Sequence, residues 1–377
     1  MVSAPPPAGL ERTRLPLNAF PPPGAPGYNS VAVYSSFRVR RFRSFLEFHI
    51  EGLQRLNLIT GQNNVGKTAL LEALFIHCGG ANVTLPFAIE NFRGVGRFES
   101  PMDAALAGLF YDFDPTSAIE LQATELDITR TCVLRIVDAP TTVPRDHGED
   151  VPSATKALEL TWDDPAKGGS VTRRAVLEKD GLRMDPLGMP PFREAVFVHT
   201  SGRDHKTDAL RFSRLAKIVG EEDRFAEALA AIEPSIKKVR LLDHAGITMI
   251  HADVGLKRFL PLAYAGEGLV RLGSLLTAIA VSRNGAVLID EFENGLHHTV
   301  LRKAWQAILS FAERFNVQVF ATTHSAECIR AAHFEFSERD YAFRLFRLAR
   351  VSDGTIAAMP FEREALDAAL RTDLDLR

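Results

Sequence analysis

Residues Asn57-Leu58-Ile59-Thr60-Gly61-Gln62-Asn63-Asn64-Val65-Gly66-Lys67-Thr68 carry the strongest signal in this chain. An apolar run enters a loop framed by Gly61 and Gly66 and closed by Lys67-Thr68, and Ala69-Leu70-Leu71-Glu72-Ala73-Leu74-Phe75 then reads as a helix. Strand, glycine loop and helix in that order are the setting a phosphate-binding loop requires. A polyphosphate is best held by converging backbone N–H groups, which only a tightly curled, glycine-permitted loop can present, and the helix N-terminus behind it adds partial positive charge. Gly61, Gln62, Asn63, Asn64, Val65, Gly66 and Ala69 are therefore expected to cradle the phosphates of ATP. Lys67 is expected to reach the β- and γ-phosphates, and the Thr68 hydroxyl to ligate Mg²⁺.

A second apolar run, Ala286-Val287-Leu288-Ile289-Asp290-Glu291, ends in two carboxylates. Coupled to a phosphate loop, the first acid is expected to organise Mg²⁺ through water and the second to orient or deprotonate the attacking water. A third run, Val317 to Thr323, ends at His324-Ser325. Ligands of open parallel sheets bind at the carboxyl edge of the strands, so Lys67, Glu291 and His324 form the expected catalytic set, with His324 as a γ-phosphate sensor.

Lys67 and Asp290 are 223 positions apart, more than one or two strand-helix crossovers need, so a large insertion separates them. Apolar-alternating pieces (Ile119 to Leu126, Cys132 to Val137, Leu158 to Trp162, Val171 to Leu177) predict antiparallel hairpins. The Pro-, Asp- and Gly-rich segment Thr141 to Thr155 predicts an exposed loop. Helical patterns follow over Leu210 to Val219 and Glu221 to Ile232, then a strand pair, Val239 to Leu242 and Thr248 to Ala252. Gly266-Glu267-Gly268 opens a helix over Val270 to Val281, a second glycine-flanked helix N-terminus suited to an anion. The helix Thr299 to Phe315 places Leu301, Trp305, Ile308, Ala312 and Phe315 on one face as core.

The chain has 377 residues, 46% of them hydrophobic and 24% charged, which is enough to bury a large core in two or three lobes. A net charge of -3 gives no global attraction to nucleic acid or to an anionic membrane, so such a partner would need a local patch. Arg38, Arg40, Arg41 and Arg43, on an alternating stretch from Ser36 to Ile50, offer one: they either line a phosphate-backbone groove or solvate a strand face. Cys78, Cys132 and Cys328 are few and widely spaced, against a disulfide framework or zinc knuckle and in keeping with a reducing cytoplasm. No apolar run approaches the roughly 20 residues of a membrane span. Prolines at 5–7, 16, 21–23 and 26 predict an extended tail over residues 1–32.

The order Gly61 to Thr68, Gly266-Glu267-Gly268, Asp290 to His298 and Thr322-Thr323-His324-Ser325 resembles the ABC-type AAA ATPases. Within them it is similar to the overcoming-lysogenization-defect (OLD) family, related to the SMC and recombination-repair ATPases. The resemblance implies an α/β P-loop NTPase, an ABC-type ATPase head of mixed and parallel sheet with antiparallel hairpins and a helical lobe. It divides residues 33–377 into a phosphate-loop lobe with a β-hairpin insertion (33–195), a helical lobe (196–265), the signature, Walker B acids and sensor histidine (266–345), and a C-terminal strand and helix (346–377). It also implies an ATP-dependent homodimer in which Gly266 and Gly268 contact the γ-phosphate across the interface, and in which Asn294 to His297 connects the two sites. Antiphage defence or DNA repair is the setting it suggests.

The signature departs from transporter ATPases in carrying Ala265 and Glu267, and no convincing glutamine loop is found, Gln122 being the only glutamine between Lys67 and the signature. Members of the OLD family carry a Toprim nuclease after the histidine. Here 53 residues follow His324, short of a domain of roughly a hundred, so an effector acting in trans is expected. The alternatives are a transporter ATPase subunit and a non-hydrolysing ATP-dependent binding module. His297-His298 reads as loop histidines, Asp373-Leu374-Asp375 as a solvated tail, and Arg203 as either a phosphate contact or a surface arginine.

Overall fold

The strand Leu56–Gly61 that carries the phosphate loop lies inside a six-stranded sheet of the computed structural model, which describes residues 34–95, 102–143, 151–178, 181–185, 191–200, 204–337 and 342–372. The proline-rich tail, Arg203 and Asp373-Leu374-Asp375 lie outside the described residues. Across the sheet the strands run Ile356–Phe361, Phe343–Arg350, Leu56–Gly61, Gln318–Thr322, Ala286–Ile289 and Ala195–Val198. All neighbours are parallel except the first pair. Such a sheet is covered on both faces, which is why its strands read as unbroken apolar runs. Leu58, Val287, Ile289, Val319 and Ala321 face one core, while Ile59, Leu288 and Phe320 face the other.

The second core lies between this sheet and a seven-stranded antiparallel sheet, ordered Phe45–Glu51, Ser36–Phe42, Ile119–Glu125, Ile128–Val143, Val151–Asp164, Gly169–Glu178 and Gly181–Asp185. The helix Lys67–Cys78 packs against strands of both sheets, so nearly its whole circumference is buried. That explains why Ala69-Leu70-Leu71-Glu72-Ala73-Leu74 shows no polar stripe: a helix apolar all round belongs inside a core. The expected hairpins are all present. The expected loop Thr141 to Thr155 is shorter than its composition suggests, because ladder pairing continues through Thr141↔Ser153 to Val143↔Val151. Long-range strand pairing there overrides local Pro and Gly content.

The first core is filled from the other side by helices His205–Leu215, Glu221–Ala230, Glu267–Val281 and Leu301–Phe315, with Phe212, Phe225, Leu272, Leu276 and Trp305 fully buried or nearly so. A three-stranded sheet, Lys238–His244, Ile247–Asp253 and Leu260–Pro261, flanks them. The five apolar residues expected on one face of Leu301–Phe315 are all buried. Cys78, Cys132 and Cys328 are free and buried. Among the described residues no helix is long and apolar enough to cross a membrane.

Candidate active site

Two glycines let the loop Gly61 to Thr68 close. Gly61 has φ 140°, and a Cβ there would lie 2.4 Å from the Leu348 carbonyl oxygen; Gly66 has φ 97°, and a Cβ would lie 2.7 Å from Ser44 Oγ and 2.8 Å from the Phe45 ring. Both backbone conformations belong to glycine. Gly66 is also the N-cap of the helix Lys67–Cys78, so the first free N–H groups of that helix open onto the loop.

The loop borders a cleft of about 790 Å³ lined by Asn63, Asn64, Gly66, Lys67, Thr68 and Ala69, and by Glu291 and His324 from the neighbouring strands. Parallel register produces this convergence: Ile59 pairs with Thr322, and Ile289 with Ala321, so the ends of three strands share one edge. Lys67 Nζ donates to the carbonyls of Gly61 at 2.7 Å and Gln62 at 2.8 Å. Burial pushes its pKa down, against the opposing pull of Asp290, Glu291 and Glu293. The ammonium therefore sits folded over the loop, within the span a phosphate would occupy.

Thr68 Oγ1 lies 3.1 and 3.2 Å from the two carboxylate oxygens of Asp290. Thr322 joins the acids together: its hydroxyl donates to Asp290 Oδ1 at 2.7 Å and accepts from the Glu291 N–H at 2.8 Å. Glu291 has φ 48°, a left-handed conformation that non-glycine residues rarely adopt, and this turns its side chain into the cleft instead of along the strand. Behind it Phe292 stacks on Trp305 with ring centroids 3.7 Å apart, and the His324 N–H donates to Glu293 Oε1 at 2.7 Å. The backbones of Glu291 and His324 are thus each held by a side chain, Thr322 and Glu293 respectively.

The Thr68 hydroxyl and the Asp290 carboxylate are hard oxygen donors beside the phosphate loop, a donor set that fits Mg²⁺, which takes its remaining ligands from water and phosphate. Among the described residues no cluster of three His, Cys, Asp or Glu side chains forms a metal cage. His297 caps its own turn through Thr299, and its ring lies 4.1 Å from that of His298.

Gly266 and Gly268 do not line this cleft. Gly266, with φ 109°, caps the helix Glu267–Val281, and a Cβ on Gly268 would lie 3.2 Å from the Gly295 carbonyl oxygen. The signature therefore abuts the loop Asn294 to His297. Gln122 lies on a strand opposite Arg38, bonded to Glu120 at 2.6 Å, away from the cleft.

The arginine cluster divides. Arg43 is half-buried against the acids Glu72 (3.1 Å) and Glu90 (2.8 Å) and lines the cleft. Arg41 donates to Ser117 Oγ at 2.9 Å, and Arg40 pairs with Glu47 and Glu120 at 3.2 and 3.7 Å. Arg93, Phe110, Asp112 and Phe113 also line the cleft and were not legible as site residues. Arg93 is brought in by Glu72 at 2.6 Å and Phe110 by an isolated bridge to Phe42, both contacts between distant parts of the chain.

An AAA-domain family model, tied in its description to the AbiEii toxin of type IV toxin–antitoxin systems, matches residues 189–330, and a second AAA-domain model matches residues 36–100. An ATP/GTP phosphatase of Helicobacter pylori is 26% identical over 338 residues, covering 81% of this chain and 89% of the relative. The uncharacterised protein MJECL11 of Methanocaldococcus jannaschii is 29% identical over 112 residues, 30% of this chain and 98% of its own length. Among solved structures, an Smc head bound to the C-terminal winged-helix domain of ScpA matches with TM-score 0.48 and 13% identity over 89% of this chain and 99% of that one. The SMC head of Thermotoga maritima matches with TM-score 0.41 and 13% identity over 87% and 99%. The two AAA-domain matches fall on the two halves of the cleft, the phosphate loop in one and Asp290, Glu291 and His324 in the other. The chain is a P-loop ATPase.

Proposed function

We propose that this chain hydrolyses Mg-ATP as a switch: ATP joins two copies, hydrolysis releases them, and the change is passed to a partner effector or to nucleic acid. The observation that carries the reading is the Thr68–Asp290–Thr322–Glu291 network at the foot of the phosphate loop. Gly61 to Ala69 bind the phosphates, Lys67 shifts from the loop carbonyls to the β- and γ-oxygens, and Thr68 and Asp290 hold Mg²⁺, which supplies charge neutralisation when bound. Glu291 orients the attacking water and takes its proton, and His324 contacts the γ-phosphate. The name of the Helicobacter pylori relative, an ATP/GTP phosphatase, agrees with hydrolysis.

Dimerisation is supported by the position of Gly266 and Gly268 at a helix N-terminus outside their own cleft, where a second copy's phosphate could be met. The resemblance to OLD and SMC-like ATPases supports a setting in antiphage defence or DNA repair. Glu291→Gln tests the whole reading, since the amide keeps the shape but cannot accept the proton. The variant is expected to bind ATP, to lose nearly all turnover and to accumulate as an ATP-bound dimer by light scattering. Wild-type turnover in Glu291→Gln would refute the catalytic assignment, and a monomer with ATP at micromolar protein would refute the two-copy arrangement.

A further inference from the structure

Beyond the phosphate loop the cleft is walled by Arg43, Gly108, Phe110, Asp112 and Phe113, none of which phosphate chemistry requires as a group. Asp112 and Phe113 are consecutive left-handed residues, with φ of 55° and 56°. Such a conformation is disfavoured for L-residues and makes a bulky side chain an outlier. Burial within the chain does not offset it, because Phe113 is 73% exposed.

The strained segment is nevertheless held firmly. The Arg43 N–H donates to Leu109 O and Arg43 Nη1 to Gly108 O, both at 2.8 Å, and Phe42 bridges Phe110. On the other side Arg41 donates to Ser117 Oγ, whose hydroxyl donates to Asp114 Oδ2 at 2.9 Å. Two arginines of the basic cluster thus fasten the segment that lifts an aromatic ring onto the cleft wall. Strain of this kind persists where the surroundings over-determine it, and it concentrates at ligand sites.

We propose that Phe113 is the platform on which the nucleobase of the bound nucleoside triphosphate stacks. A triphosphate seated on Gly61 to Thr68 carries its base beyond the loop, and in the remaining wall the exposed Phe113 ring is the flat apolar face. Stacking reads the π-face that every base has. The larger purine face overlaps the ring more than a pyrimidine does, so Phe113 favours purines but does not itself separate ATP from GTP.

The inference rests on the proposed nucleotide-hydrolysing role of the same cleft, and its test separates the two. Binding of ATP, CTP and inorganic tripolyphosphate is measured on the full chain for wild type, Phe113→Ala, Phe113→Trp and Lys67→Ala. Because one base–aromatic stack corresponds to about a tenfold change in affinity, Phe113→Ala is expected to weaken ATP by about that factor and CTP by less. Tripolyphosphate binding should not change, and Phe113→Trp should restore ATP. Unchanged ATP affinity in Phe113→Ala, or equal losses for ATP and tripolyphosphate, would overturn the platform. A wild type that binds neither ligand would overturn the nucleotide reading itself, and the platform with it.

Discussion

The Arg271 guanidinium donates to the main-chain carbonyls of Asp290 at 2.8 Å and of Glu291 at 3.1 Å, while its other terminal nitrogen donates to His199 O at 2.9 Å. Arg271 lies in the first turns of the helix opened by Gly266, so the signature helix is fastened directly to the backbone beneath the two acids. Glu291 is left-handed at this point, and the fork helps to hold it there. Arg271→Lys keeps the charge but loses the planar fork. It is expected to lower kcat by about tenfold, equivalent to some 1.4 kcal/mol of lost positioning, with KM for ATP nearly unchanged. A change confined to KM would show that Arg271 serves binding and not the placement of Glu291.

Lys67→Ala should abolish most of the stabilisation that Mg-ATP confers. A ligand bound only by the native state adds about 2.7 kcal/mol at a hundredfold excess over Kd. Without nucleotide the variant should melt close to wild type, because burial already disfavours the Lys67 ammonium and its two carbonyl bonds are local to the loop. Thermal melts with and without Mg-ATP decide this, and an undiminished ATP-induced shift would remove Lys67 from the phosphate site.

Arg43 and Arg38 should respond oppositely to replacement. Arg43→Ala strips partners from Glu72 and Glu90, both buried, and breaking buried ion pairs typically costs about 3–5 kcal/mol. Arg38→Ala, on the outward side of its strand, should leave urea unfolding unaltered. If Arg38 contacts duplex DNA, its removal flattens the log–log salt dependence of binding by about 0.9. Identical salt titrations for wild type and Arg38→Ala would exclude that contact.

His77 makes the fold sensitive to acid. Its Nε2–H donates to the Arg130 carbonyl at 3.1 Å, Nδ1 accepts from the Tyr34 hydroxyl at 2.8 Å, and the ring is enclosed by Phe37 and Trp162. Burial pushes its pKa down to about 3. The unfolded chain, with an ordinary histidine near 6.5, then binds the extra proton between these values. His77's contribution is complete above pH 6.5 and is lost as pH falls toward 3, at up to about 1.4 kcal/mol per pH unit. Urea unfolding at pH 7, 6 and 5 should show a shallower decline in His77→Gln than in wild type, and equal slopes would place the acid sensitivity elsewhere.

Local grammar made the phosphate loop and the polar strand ends of the candidate site readable. Gly61 and Gly66 stand where the backbone must turn left-handed, Lys67-Thr68 open a helix, and Asp290-Glu291 and His324 follow short apolar strands. The hairpins over residues 119–178 were readable for the same reason, since alternation along a strand is a property of consecutive residues. Nothing adjacent to Arg43 in sequence reveals Glu72 and Glu90, so the sequence leaves Arg43 between a phosphate-backbone groove and a solvated strand face. The continued pairing of Thr141 with Ser153 was likewise hidden by a composition that favours loops.

A phosphate loop, a pair of acids, a histidine at a strand end and the α/β class are all legible in the primary structure, because each depends on residues within one turn or one strand of each other. Which side chains stand behind them depends on folding in three dimensions. Thr322 bridges Asp290 to Glu291 across 31 or 32 positions, Arg271 reaches the same backbone from another helix, and Arg43 joins the first strand hairpin to the phosphate-loop helix. These contacts follow from parallel register and from packing on both faces of one sheet, which bring distant segments to a common edge through non-local burial that no short stretch of sequence encodes.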